Sequence, residues 1–262
     1  MGYIIGLSTI FLIIVFFIFL YYYKPTSENE PYFDYDWSSS WSEYDKKARE
    51  SADCKPIDKI HMKLGSISSW VWIVKKTCEQ GLPHTRGHDI IAIPINFPKD
   101  RLPPLMDHER IHLLQRRMPE SWARFYRIKW NYEIYSSPPF GMPDYLIKYR
   151  RANPDTANEP YACWNSRYWS VPIYISESNL SLKDAPIKWW DQMTNKVLDS
   201  APDEWVQFFG DDIHQCEHPH ELTAEYLSGP LRLGKRPVNM PEGMKHLALA
   251  WSASDPMFPE VL

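Results

Sequence analysis

From Tyr3 to Tyr23 the chain reads YIIGLSTIFLIIVFFIFLYYY, and no position in that run carries a charge. About 20 consecutive apolar residues suffice to cross the hydrocarbon core of a bilayer as a helix. The pattern therefore predicts one N-terminal transmembrane anchor over residues 1–23, with Tyr21, Tyr22 and Tyr23 at the water interface and Lys24 closing the span. The basic segment and small-residue cleavage site of a signal peptide are missing. Residues 24–50 turn acidic, with Ser and Pro, and read as an exposed tether. Its aromatics, Tyr32, Phe33, Tyr35, Trp37 and Trp41, suit docking on the domain or on a partner. Residues 51–262 make up a globular domain.

Within the domain, residues 66–76 (SISSWVWIVKK) are apolar enough for a buried helix or strand, and periodicity leaves both open. His88 to Pro94 reads as a short strand after a Thr85-Arg86-Gly87 turn. Pro103 and Pro104 open a helix that runs to about Met118, with Arg116 and Arg117 complementing the dipole of its last turn. A second helix starts at Pro119 and carries an apolar stripe of Trp122, Phe125, Tyr126 and Trp130, expected as core. From about Ser136 through Pro160 the chain is proline-rich and irregular. Val171 to Ser176 suits a strand. Ile187 to Leu198 and Asp203 to Phe209 suit short helices, and a last helix runs from Pro219 to the Gly229-Pro230 stop.

Proline (23) outnumbers glycine (10), which favours short helices and irregular loops over a repetitive α/β sheet. The expected class is α+β with a small sheet and proline-rich loops. A net charge of −4, with no basic stripe, argues against a nucleic-acid partner. Cys54, Cys78, Cys163 and Cys216 form no C-x-x-C pair, which excludes a zinc ribbon. Cys54 and Cys78 either pair, in an oxidising compartment, or stay as buried thiols.

The chemistry concentrates in His108-Glu109-Arg110-Ile111-His112. Helical positions i and i+4 share a face, so His108 and His112 aim two imidazoles at one point. Glu109, beside them, reaches a water on the shared metal without ligating it. This is the zincin arrangement, with Zn2+ as cofactor and Glu109 as general base. A third ligand is needed, and Glu221 in Glu221-Leu222-Thr223-Ala224-Glu225 suits it, with Glu225 as an acceptor for a ligating imidazole. Read alone, Glu221 and Glu225 are a solvated helix face. A rival chelate is His214, Cys216 and His218, which alternate along an extended segment. His218 also suits capping the helix that follows or contacting a substrate. Tyr161, His214 or Tyr226 could donate to an oxyanion.

Leu82-Pro83-His84-Thr85-Arg86-Gly87, His108 to Arg116, Arg151-Ala152-Asn153-Pro154-Asp155 with Tyr161, and His218 to Glu225 occur in that order. Together, over about residues 80–230, they resemble a zincin-like metallopeptidase family of large double-stranded DNA viruses that infect algae and protists. The resemblance implies zinc held by His108, His112 and Glu221, and Glu109 as base. Arg151, Asn153, Asp155 and Tyr161 then become pocket or scaffold residues. Glu225 stands where related zincins often have Asp or Asn. A viral origin implies a virion or host-membrane location. Two functions follow: a membrane-anchored peptidase acting on a peptide or protein, with Asp89–Ile93 as the strand an extended substrate pairs against, or a non-catalytic structural protein associated with capsid proteins.

Overall fold

The computed structural model describes residues 41–65, 67–211, 213, 215–229 and 240–253. The predicted anchor, the tether up to residue 40, and His214 lie outside them. No helix among the described residues is long and apolar enough to cross a membrane. The fold is mixed α+β with two small sheets.

β-branched and aromatic residues decide the segment that periodicity left open. Ile67–Val74 is strand β2, which folds back on β1 (Asp58–Leu64) through Gly65 at φ +63°. β2 runs parallel to β4 (Ile90–Pro94), and β4 pairs antiparallel with β3 (His84–Arg86), giving the order β1-β2-β4-β3. Every β4 residue is buried, as the continuous run Ile90-Ile91-Ala92-Ile93 requires.

Helix α1 (Glu43–Ala48) opens on Ser42, whose hydroxyl and backbone N–H exchange bonds with Asp45. Asp45 is fully buried and accepts from Ala152 N and the Tyr174 hydroxyl, while Arg49 bonds Glu79, Asp45 and the Ala152 carbonyl. Packing of the domain therefore begins inside the stretch read as tether. Helix α2 (Leu102–Arg117) has its prolines in the first turn and stops before Pro119. Helix α3 (Pro119–Trp130) ends on Asn131 in the left-handed region, φ +54°. Its stripe is core: Trp122, Phe125, Tyr126 and Trp130 are each at most 1% exposed.

The second sheet is an antiparallel meander of β5 (Tyr132–Tyr135), β6 (Tyr161–Trp164), β7 (Tyr168–Pro172), β8 (Ile187–Asp191) and β9 (Lys196–Leu198). Ile187 to Leu198, expected as a helix, is the hairpin β8–β9. Alternation along a strand sends Trp189 into the main core against Trp205 and Trp190 into a second core with Trp169 and Leu146. A helix would turn adjacent tryptophans only about 100° apart and could not bury them in separate cores. The strand expected at Val171 to Ser176 lies earlier, because Pro172 closes it. Helices α4 (Asp144–Lys148), α5 (Asp203–Phe209), α6 (Pro219–Ser228) and α7 (Glu242–Ala253) complete the described fold.

Candidate metal centre

Helix α2 has an unusual inner face. Beside Ile111, Leu113 and Leu114 it buries Glu109, His112 and Gln115. Buried polar groups persist only where they are paired or bind something. α2 packs against α6, and across that contact three donor atoms meet. His108 Nε2 and His112 Nε2 are 3.0 Å apart, and Glu221 Oε2 lies 3.3 and 3.4 Å from them. Bonds of about 2.0–2.1 Å at tetrahedral angles put neighbouring donors about 3.3–3.4 Å apart, so the triangle has the size that a zinc-sized ion would span. His108, His112 and Glu221 could thus hold a metal.

The next layer fixes how the donors point. The carboxamide of Gln115 gives its NH2 to the Tyr126 hydroxyl and the His220 carbonyl, so its oxygen faces His112 Nδ1 at 2.8 Å. An amide oxygen only accepts, so Nδ1 carries a hydrogen and Nε2 is the nitrogen offered to a metal. Asn153 Nδ2 donates to Glu221 Oε1 at 2.7 Å, leaving Oε2 for the histidines. Asn153 Oδ1 in turn accepts the Asp155 N–H at 3.0 Å, capping the Pro154–Thr156 turn. Sequence reasoning had no role for Gln115 and an undefined one for Asn153. Their only signal was their place in the stretches 108–116 and 151–155 of the resemblance.

Glu109 is 2% exposed, and its Oε2 has no hydrogen-bond partner among the described residues. Burial pushes its pKa well above the usual carboxylate range, and the Asp155 and Glu221 charges add to that. Burial disfavours charge on His112, yet Glu221 and Asp155 outweigh it and raise its pKa to about 10. A proton on His112 Nε2 would sit where the ion fits, so metal and proton compete for one place. His108, Glu109 and Glu221 open on a cleft of about 660 Å³, whose walls include His84, Arg151 and Lys183.

Other expected residues stand elsewhere. Tyr161 lies in the second core under the Arg150 guanidinium, 5.0 Å away, off the cleft. Tyr226 is buried against Trp130 and spends its hydroxyl on the Phe209 carbonyl. Neither reaches an oxyanion, because each ring fills a core. Glu225 Oε2 accepts the Gln215 N–H at 2.9 Å, and the acceptor role expected of it at a ligating imidazole is filled, at His112, by Gln115. His218 is a cap: its Nδ1 accepts the His220 N–H at 3.2 Å and its Nε2 donates to the Glu159 carbonyl at 3.0 Å. Both nitrogens are used, which removes it from the rival chelate. Arg151 pairs with Glu217 at 3.0 Å. Asp155 accepts from Thr85 N at 2.8 Å and from its hydroxyl.

Arg116 does more than complement a dipole, since its guanidinium bonds the carbonyls of Gly87, Thr85 and Pro154. β4 lies between β2 and β3, so it offers no edge to a substrate. The edges of this sheet are β1 and β3, and at Thr85 the outward N–H and C=O of β3 are taken by Asp155 and Arg116. No protein-family model, curated protein or solved structure matches the chain.

Proposed function

We propose that the chain is a zinc-dependent metallopeptidase with a zincin-like domain, carried on a membrane by residues 1–23. The observation that carries this reading is the triangle of His108, His112 and Glu221 donors at 3.0–3.4 Å beside a buried, unpartnered Glu109 oxygen. A purely structural metal site has no need of that carboxylate. Bound there, the ion would supply Lewis acidity toward a carbonyl oxygen and acidify a water.

The chain's own residues do the rest. Glu109 Oε2 takes a proton from the attacking water and returns it to the leaving nitrogen. Gln115 holds His112 in the tautomer that presents Nε2, and Asn153 holds Glu221 to one oxygen. The substrate lies in the cleft bordered by His84 and Arg151.

Metal content of the full chain in detergent is the first test. About one zinc per chain is expected, lost in a His108→Ala, His112→Ala double variant. Glu109→Gln should keep the metal and abolish hydrolysis of a mixed peptide library. Hydrolysis unchanged in that variant would sink the mechanism.

The closed edge at Thr85 favours a second reading, a non-catalytic structural protein of a viral particle. That reading expects the chain to co-purify with particles whatever stands at position 109. Absence from particles and from capsid-protein complexes would remove it.

A further inference from the structure

We propose that Asn179 is a site of N-linked glycosylation. Asn179-Leu180-Ser181 is the one N-x-S/T sequence in the chain whose middle residue is not proline. A single such triplet arises readily by chance, so the weight rests on two independent structural observations.

The first is its place. The triplet lies on the connection between β7 and β8, with Asn179 exposed in a turn closed by its own N–H to the Ser176 carbonyl at 3.1 Å. Asn179 Oδ1 accepts the Ser181 N–H at 3.3 Å, which fixes the carboxamide. Its Nδ2 makes no hydrogen bond among the described residues, and the flanking Glu177 and Ser178 are exposed as well.

The second is the disulfide between Cys54 and Cys78, both buried. Disulfides form and persist in oxidising compartments, where N-x-S/T sites of secreted and lumenal domains are modified. The co-reactant is a lipid-pyrophosphate-linked oligosaccharide. The Asn179 amide nitrogen bonds to the anomeric carbon, the bond from that carbon to the phosphate oxygen breaks, and the lipid pyrophosphate leaves with the electron pair while the amide loses one proton.

The site also bears on the cleft. Gln80 bonds the Leu180 carbonyl and the Leu182 N–H, each at 3.0 Å, and so pins the segment whose Leu182 and Lys183 form part of the cleft wall. A glycan on Asn179 would stand at that rim. Neither the glycan nor its test depends on the metal reading.

The full chain expressed in cells with a eukaryotic secretory pathway is run on a gel before and after peptide:N-glycosidase treatment. We expect the wild type to lose the mobility of one glycan, and Asn179→Gln and Ser181→Ala to run at the deglycosylated position. Ser181→Thr, which keeps the acceptor sequence, should restore the shift and so separates loss of the site from misfolding. A wild-type chain whose mobility is untouched by the enzyme overturns the proposal. So does a shift that survives in Asn179→Gln.

Discussion

Asn153→Ser isolates the layer behind the metal ligands. In the native chain Asn153 does two things with one side chain: Oδ1 caps the Pro154–Thr156 turn, and Nδ2 donates to Glu221 Oε1 at 2.7 Å. Serine is an equally good cap, but its shorter side chain cannot reach Glu221. The variant should keep the turn, with Asp155 still on Thr85, and lose one hydrogen bond to a buried carboxylate. Such a bond is worth about 1.5–3 kcal/mol. Loss of a partner behind a metal ligand typically costs about 10–100-fold in metal affinity, which is the same energy range. The assay is competition for zinc against a chromophoric chelator, with urea unfolding of the metal-free protein as the control for the turn. Unchanged zinc affinity alongside unchanged stability would refute the idea that Asn153 orients Glu221.

Three further outcomes follow from the same structure. Burial holds His218 neutral and depresses its pKa to about 4, against 6.5 in the unfolded chain. The unfolded chain therefore takes up the proton first, so His218's contribution is complete above pH 6.5, drains as pH falls, and levels off below pH 4. The difference in unfolding free energy between wild type and His218→Asn should narrow by about 3 kcal/mol from pH 7 to pH 4, and a pH-independent difference would contradict it. Arg49→Met leaves Asp45 and Glu79 buried without their counter-charge and should cost about 3–5 kcal/mol in denaturant unfolding; a cost under about 1 kcal/mol would mean that water reaches the pair. Replacing Cys54 and Cys78 by serine opens a loop of 24 residues, and a loss of about 3 kcal/mol is expected, read as a lower urea midpoint.

Much of the candidate site could be read without coordinates, because its information is local. Spacing of four along a helix brings His108 and His112 together wherever that helix lies, and the prolines at 103, 104 and 119 set its bounds. The stripe from Trp122 to Trp130 follows from the same period. The hairpin at 187–198 is not legible from periodicity because β8 sends Trp189 and Trp190 into cores on opposite faces and so lacks the alternation that marks a strand with one buried face. Tyr161 and Tyr226 looked available as donors only because a sequence does not state what a side chain fills.

The sequence by itself determined the α+β class, the two histidines, the neighbouring Glu109 and the acidic helix that answers them. The tertiary structure alone decided that Glu221 Oε2 meets both imidazoles, that Gln115 rather than Glu225 serves His112, that β4 is internal, and that Cys54 pairs with Cys78. The division has one physical cause. Helix periodicity and proline geometry act over a few residues, whereas Asn153 and Glu221, 68 positions apart, meet only once the chain has packed.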